Sequence, residues 1–592
     1  MYPIPKTFFD CGGIRENIFE MTQRGVKRER EISTPSTLPT LESLPFEIHL
    51  GFIQYLSTSD LRALRDTCSA MREAVDYYIQ PCTKRRRATL GERAKDGTPD
   101  FCLFATIDAA KRPMYVFQDP GAWDTLEKLN LQECLLGALS ASLVQFSALR
   151  VLDLRNNGLT ALPEPIRRLR ALEHLNVGSN NLVELPGWIG EFAALRNLYL
   201  DKNKLHGIPE SIADLRSLEG IYLDENPLGA FPEVLCRLAS LLVLSMRKCT
   251  LEEIPNPVVW PRVLIEILIE MRPGGRGMSP FVSIGDLGAL TKLDLSSNKL
   301  YSIPAGIGCL GALVYLSLDN NFIHQLPAEI GGLGALEYLS LGDNFIDQLP
   351  AEIGNLGALK TLILRGNSLR ALPDTLRGLQ SLLFLNVDYN GLTELPRSIG
   401  NLRALKKMRL AANRISILPT SIGKLGALEK LYLGFNTLRR IPASVGRLTA
   451  LKKLSLVRNK LSSIPGKLGD LGVLGELDIS GNELRTLPDT LQGLRSLHTL
   501  SVCYNPLRTL PRSFGELQSL RELNIGSECS IRLPATFGEL TELSCIRFVG
   551  TGLMRAYPSA SRLLRRARVN LWRVNFVASD PPARVGARRQ AT

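Results

Sequence analysis

Leucine and isoleucine recur along most of the chain with a period of 23 residues, separated by polar, small and proline positions at constant offsets. The unit reads LxxLxLxxNxLxxLPxxIGxLxx, and the stretch from Leu336 to Ile353 shows it clearly. Because one period governs so much of the chain, the pattern predicts an array of stacked repeats rather than several unrelated domains. Asparagine marks the period at Asn157, Asn180, Asn203, Asn226, Asn298, Asn321, Asn344, Asn367, Asn390, Asn413, Asn436, Asn459, Asn482 and Asn505.

Each part of the unit predicts its own local structure. Leu339 and Leu341 are separated by one polar residue, a period of two, which predicts a short strand with both leucines facing inward. The asparagine follows at a turn, where its amide can donate to and accept from the backbone of neighbouring coils. The Leu-Pro step ends the strand, and the IGxL segment predicts a short helix on the outer side.

Stacked repeats of this kind share one leucine core and align their strands in a parallel sheet on a concave face. The expected fold class is therefore α/β, a horseshoe-shaped solenoid of roughly 19 repeats over residues 126–557. The register breaks once, because Pro255 and Pro304 are three residues further apart than two repeats, with segment 271–280 in the gap. Two interpretations stay open for this segment: an inserted loop in a degenerate repeat, or a protruding binding element or hinge.

A helical periodicity precedes the repeats, within residues 41–82. Ile48, Ile53 and Leu56 are spaced as on one face of a helix, and Pro45 suits its first turn. A second stripe follows at Leu61, Leu64 and Cys68. Such a small set of helices buries little core, so part of its apolar surface is expected to need a partner.

Three further segments flank these parts. Residues 1–40 are expected to be flexible, 83–125 to be a linker and N-terminal cap, and 558–592 to be a basic C-terminal cap or tail. Much of the net charge of +13 lies in short Lys and Arg runs, with no RNA- or DNA-binding motif beside them. We therefore expect solvated tails and no nucleic-acid partner; an anionic partner or a nuclear import signal is the alternative.

The sequence carries few residues suited to chemistry. Its 11 cysteines form no CxxC pair, which favours a reducing compartment, and the N-terminus lacks the apolar core of a secretory signal. No stretch offers the about 18 apolar residues of a membrane span. Motifs of metalloproteases, serine hydrolases and phosphate-binding loops are missing. We expect a cytoplasmic protein that is not an enzyme and has no catalytic residues, metal, cofactor or membrane contact.

The repeats are similar to the LPxxIG class of leucine-rich repeats, which occurs in plant intracellular proteins, Ras-binding scaffolds and bacterial effectors. Residues 41–82 resemble the F-box, a small all-α module, although Met71 stands where many F-boxes have tryptophan. This resemblance implies docking on the Skp-type adaptor of a cullin-based SCF ubiquitin ligase, through Leu44, Pro45, Ile48, Ile53, Leu56, Leu61, Leu64 and Cys68. An alternative is that 41–82 only caps the first repeat.

The combination resembles SCF substrate receptors, in which the F-box joins the ligase and the repeats hold a target protein. Nearly identical repeats and arginine-rich tails also resemble bacterial effectors that imitate host receptors, which would make 1–40 an export signal and the host cytoplasm the place of action. A non-catalytic signalling scaffold similar to the Ras-binding repeat proteins is the alternative function.

Outward-facing strand positions predict where the target binds. They are acidic and aromatic in early repeats, aromatic in the middle and basic later, and aromatic and arginine side chains are the usual anchors of protein interfaces. The predicted target-binding residues are Tyr199, Asp201, Tyr222, Asp224, Tyr315, Tyr338, Phe384, Tyr389, Arg409, Lys430, Tyr432, Phe435 and Arg458.

Overall fold

The structure is a computed structural model of the chain. It describes residues 127–133, 146–255, 283–526, 531–549 and 575–577, all within one compact unit, Asp100–Thr592. The expected N-terminal segment, F-box-like module and linker lie outside the described residues, as do segment 271–280 and most of 558–592.

Within the described residues, short parallel strands form one sheet of 19 strands. Each strand pairs with its neighbour in the sequence, and equivalent residues of adjacent repeats stand opposite each other, as Tyr338 does to Thr361. The middle residue of each three-residue strand from β1 to β16 faces the core; Leu339, for example, is fully buried. The strands are β1 (Lys128–Asn130), β2 (Val151–Asp153), β3 (His174–Asn176), β4 (Asn197–Tyr199), β5 (Gly220–Tyr222), β6 (Val243–Ser245), β7 (Lys292–Asp294), β8 (Tyr315–Ser317), β9 (Tyr338–Ser340), β10 (Thr361–Ile363), β11 (Phe384–Asn386), β12 (Lys407–Arg409), β13 (Lys430–Tyr432), β14 (Lys453–Ser455), β15 (Glu476–Asp478), β16 (Thr499–Ser501), β17 (Glu522–Gly526), β18 (Cys545–Val549) and β19 (Asn575–Val577).

The helix expected from the IGxL segment is a short 3₁₀ turn, separated from the sheet by the leucine core. Each five-residue turn begins directly after the repeat proline, whose extended backbone (φ −67°, ψ 147° at Pro419) leads into the turn without needing an N–H donor. None of the helices in the described stretches is long and apolar enough to cross a membrane. The turns are Glu164–Arg168, Gly187–Glu191, Glu210–Asp214, Glu233–Arg237, Ile284–Asp286, Ala305–Cys309, Ala328–Gly332, Ala351–Asn355, Asp374–Gly378, Arg397–Asn401, Thr420–Lys424, Ala443–Arg447, Gly466–Asp470, Asp489–Gly493, Arg512–Glu516 and Ala535–Glu539.

The repeat asparagines form the expected ladder between coils. The Nδ2 of Asn436 donates to the carbonyl oxygens of Leu410 at 2.8 Å and Leu433 at 3.0 Å, and its Oδ1 accepts from the backbone N–H of Ile415 at 2.9 Å. Leu410 and Ile415 belong to the preceding coil and Leu433 to the same coil as Asn436. One buried side chain therefore satisfies backbone groups of two coils that the bend leaves unpaired.

The residue before each ladder asparagine has a left-handed backbone, a feature that the sequence analysis did not predict. Tyr389, Phe435 and Arg458 occupy this position, with φ of 56°, 57° and 52°. Few residues other than glycine adopt such φ values, and here the ladder bonds on the following residue stabilise the turn. These three side chains, which we expected on strands, therefore project from the turn that follows the strand.

The glycine of the IG step is required by a close approach between coils. A Cβ on Gly423 would lie 2.3 Å from the carbonyl oxygen of Ser444 in the next coil, and the same holds for Gly400 and the carbonyl oxygen of Ser421. At Gly400 and Gly423 the 3₁₀ turns stack so tightly that an added side chain would separate them.

The register break is an insertion within a single repeat. β6 and β7 pair directly, with Val243 opposite Lys292, and the backbone N–H of Cys249 donates to Oδ1 of Asn298 at 2.8 Å. The stretch from Pro255 to Pro304, two repeats plus three residues long, therefore contributes a single strand, β7, to the described sheet. The expected segment 271–280 belongs to residues 256–282, which the structure does not describe.

Burial predicts how the described cysteines react. Burial raises the pKa of the Cys236 and Cys249 thiols to about 12 and that of Cys503 to about 11, whereas Cys309 is exposed. Since the thiolate is the reactive form, iodoacetamide at pH 8 should alkylate Cys309 in the folded protein and the other three only after denaturation. Peptide mass spectrometry before and after denaturation measures this, and equal native labelling of Cys249 and Cys309 would contradict the packing described.

Candidate protein-binding surface

The outward side chains of the sheet form continuous columns, because equivalent residues of successive strands are paired. We call this surface, which comprises the first and third residues of each strand and the two residues after its second leucine, the strand face. Of the predicted target-binding residues, the first column holds Tyr315, Tyr338, Phe384 and Lys430, and the second holds Tyr199, Tyr222, Arg409 and Tyr432. The structure thus brings the predicted residues to one face, with Tyr389, Phe435 and Arg458 at its turn edge.

Two pairs of predicted tyrosines are stacked rings rather than separate anchors. The ring centroids of Tyr199 and Tyr222 are 4.5 Å apart at an interplanar angle of 8°, and those of Tyr315 and Tyr338 are 4.5 Å apart at 4°. Their half-burial raises the pKa of the Tyr222 phenol, and that of Tyr315 to about 12. At neutral pH both phenols keep their protons and can donate hydrogen bonds to a ligand.

An aspartate on the strand face, Asp224, stabilises the sheet through hydrogen bonds in addition to giving the surface negative charge. Asp224 accepts from the Ser245 hydroxyl at 2.7 Å and from the backbone N–H of Arg247 at 2.8 Å, one coil further on. Asp201 lies near Asp224. The pKa of the Asp201 carboxyl is raised, mainly by burial and then by the negative charge of Asp224. The sequence analysis treated both residues as target contacts and missed the structural role of Asp224.

Arg409 is likewise engaged within the fold. Its Nε donates to Oδ2 of Asp388 at 2.5 Å, the Asp388 side chain is only 3% exposed, and the guanidinium lies 5.2 Å from the ring centre of Tyr432. Removing Arg409 would leave a buried carboxylate without its cation. Lys430, by contrast, is exposed on the next strand, so it is the better probe of binding.

An exposed aromatic ridge beside the strand face was missed by the sequence analysis. The ring centroids of Phe322 and Phe345 are 6.0 Å apart, and Tyr301 and His324 lie 5.5 Å from Phe322 and Phe345 respectively. Tyr301 is 56% and Phe345 44% exposed. The available signal was phenylalanine directly after the ladder asparagine in two adjacent repeats, a position that we did not count as outward-facing.

The predicted Skp-binding residues are the remaining group of site predictions. All eight residues expected to contact Skp, from Leu44 to Cys68, lie outside the described residues. In the part of the chain that the structure describes, no three His, Cys, Asp or Glu side chains are grouped as a metal ion would need.

The chain belongs to the leucine-rich-repeat family. The family model described as a leucine-rich repeat region matches residues 116–253, 328–410, 389–480 and 446–554, which together make up more than half of the chain. A second model, described as a leucine-rich repeat, matches residues 289–310. A search of curated protein sequences gave no match.

Solved structures share the fold. A leucine-rich-repeat protein of Leptospira interrogans is 28% identical at a TM-score of 0.53, with 76% of this chain and 95% of that chain covered. The ectodomain of the plant membrane receptor kinase GASSHO1/SCHENGEN3 from Arabidopsis thaliana, solved in complex with CASPARIAN STRIP INTEGRITY FACTOR 2, is 26% identical at a TM-score of 0.50. That comparison covers 78% of this chain and 58% of the receptor chain. The chain is thus a parallel-strand leucine-rich-repeat solenoid.

Proposed function

We propose that this chain is a substrate receptor, in which the strand face holds a target polypeptide and residues 41–82 dock on the Skp-type subunit of an SCF ubiquitin ligase. The observation that carries the first half is the strand face itself. It presents tyrosine pairs, exposed aromatic residues and arginine along one uninterrupted sheet, and such residues anchor protein interfaces. The similar receptor ectodomain in complex with a partner supports the same use of the fold.

Support for the second half comes from the sequence of residues 41–82, which resembles an F-box in its apolar spacing. In this proposal the chain catalyses nothing itself; the ligase transfers ubiquitin to the target that the repeats present. The place of action would be the cytoplasm, or the host cytoplasm if the chain is a bacterial effector.

Skp binding is tested with purified full-length chain and a eukaryotic Skp subunit. We expect the wild type to retain Skp in a pull-down, and the quadruple variant Leu44→Ala, Pro45→Ala, Ile48→Ala, Leu61→Ala to lose more than about ten-fold of that signal, because these apolar contacts are removed. A matched control, Leu382→Ala within the repeat core, should keep Skp binding while lowering stability.

If the wild type does not retain Skp, the second half of the proposal is wrong. The protein would then be a leucine-rich-repeat scaffold of the Ras-binding type, with residues 41–82 serving as a cap. The strand face would remain the expected target surface in that case, since its argument does not depend on Skp.

A further inference from the structure

The strand face becomes basic across β12, β13 and β14. The first column there consists of Lys407, Lys430 and Lys453, paired side by side through the strand register. The residues two positions after each strand are Ala411, Gly434 and Val457, which are small and apolar. Phe435 and Arg458 lie at the turn edge. We call the outward residues of these three strands and of the turns that follow them the basic strip.

The basic strip holds more cations than the fold neutralises. Arg409 is paired with Asp388 of the preceding coil, and Lys453 is paired with Glu476 of the following one. Glu429, one residue before β13, is paired with Lys452 at 2.8 Å. Among the side chains that the structure describes, none forms an ion pair with Lys407, Lys430 or Arg458.

Lys407 and Lys430 are cations without ion-pair partners at paired strand positions, so they repel each other, and Arg458 adds a third such cation at the turn edge. Parallel strands lie about 4.8 Å apart, and like charges in neighbouring strand positions are unfavourable. The core does not require this arrangement, because the equivalent positions of other repeats carry Thr361 or Glu476. An anionic ligand would relieve the repulsion, so the charges point to a partner rather than to stability.

The shape of the strip favours a polypeptide as that ligand. The column of Ala411, Gly434 and Val457 is apolar, with the Val457 side chain lying over buried Gly434, so at this floor no long side chain holds an extended main chain away from the sheet. From Lys407 to Lys453 the strip spans about 10 Å, the length of three extended residues.

The aromatic rings of the strip argue against single-stranded nucleic acid. Lys407 lies 4.7 Å from the ring centre of Phe384, and Arg458 lies 5.3 Å from that of Phe435. Arg409 lies in the same way against Tyr432. Each ring already has a cation at one face, whereas nucleic-acid channels offer open rings on which bases stack.

We propose that the basic strip binds an acidic segment of a polypeptide, whose side-chain carboxylates contact Lys407, Lys430 and Arg458 over the floor formed by Ala411, Gly434 and Val457. This inference rests on the proposed function, because it takes the strand face as the target surface. It adds the chemical class of the segment recognised there and its position in the array.

The test uses the full chain and a fluorescent peptide of about five consecutive glutamates flanked by glycine and serine, long enough to span the strip. At low salt the wild type should bind this peptide at least about ten-fold more tightly than the peptide with glutamine in place of glutamate. Lys430→Glu should weaken binding about ten-fold or more.

The matched control is Lys424→Glu. Lys424 is also exposed and lies in the preceding coil, but it belongs to the 3₁₀ turn on the side away from the strands, so its reversal should change affinity less than about two-fold. Native alkylation of Cys309 with protection of Cys503 verifies that both variants are folded.

Equal weakening by Lys424→Glu and Lys430→Glu would overturn the inference, since it would show attraction by net charge alone. Tighter binding of an oligouridylate of equal charge than of the glutamate peptide would also overturn it. If the peptide fails to bind while a target still cross-links to the strand face, this inference fails and the proposed function stands. If no polypeptide contacts the strand face, both fail.

Discussion

Asn436→Ala should destabilise the protein by about 3 kcal/mol, because it removes a buried side chain that bonds to backbone groups of both its own coil and the preceding one. The backbone N–H of Ile415 is left without a partner, which costs about 1 to 3 kcal/mol for a buried group, and the hydrogen bonds to the carbonyl oxygens of Leu410 and Leu433 are also lost. In a solenoid this loss falls on the interface between two repeats, so urea unfolding should also become less cooperative. The measurement is the urea midpoint and slope followed by circular dichroism.

Asn401→Ala provides the control for this prediction. Asn401 is the same residue type two coils earlier, but it ends a 3₁₀ turn and its side chain is exposed. Its replacement should change stability by no more than about 0.5 kcal/mol. If Asn401→Ala and Asn436→Ala lowered the stability of the protein equally, the ladder hydrogen bonds would not be the cause of the loss.

Gly423→Ala should destabilise the protein by about 2 to 3 kcal/mol, although it adds a single methyl group. The new Cβ would lie 2.3 Å from the Ser444 carbonyl oxygen and 2.9 Å from its Cβ, so two stacked turns must separate. Backbone atoms cannot rotate away as a flexible side chain can, and the displacement would disturb the ladder and core that join the same coils.

Gly426→Ala, three residues further on, separates this effect from the intrinsic preference of glycine. Nothing lies within 4 Å of a Cβ at Gly426, so alanine should be neutral or stabilise the fold by up to about 1 kcal/mol through the unfolded chain. Differential scanning calorimetry of both variants would reveal the contrast. A lower melting temperature for Gly426→Ala than for Gly423→Ala would refute the close approach between coils.

The repeat unit alone predicted the fold because its physics is local and repeated. Leu339 and Leu341 define a strand by alternation, Asn344 needs backbone partners at a bend, and Pro350 begins the next turn. The pattern could not predict a backbone conformation that different residue types adopt equally. The left-handed turn holds Tyr389, Ala412 and Phe435 alike, and it also occurs at Lys248, which precedes a cysteine, so no residue type predicts it.

The sequence predicted where the candidate surface lies, but it did not predict which of its side chains stack or form ion pairs with one another. Strand register placed Tyr315 beside Tyr338, yet stacking at 4.5 Å follows from three-dimensional spacing. Arg409 and Lys430 look equivalent in the sequence, but only the first meets a buried acid, Asp388, which is contributed by another repeat. Two interpretations of the insertion stayed open for a related reason: counting residues from Pro255 to Pro304 does not reveal which strands pair.

The claim on which this account depends is that a polypeptide binds the strand face and not the side formed by the 3₁₀ turns. A photo-reactive amino acid placed at Thr361 in β10 or at exposed Arg377 in the turn of the same coil tests it in the full-length chain. After irradiation in eukaryotic cytosol, we expect a discrete protein adduct from position 361 and none above background from position 377. Adducts from position 377 alone, or equally from both positions, would contradict the account.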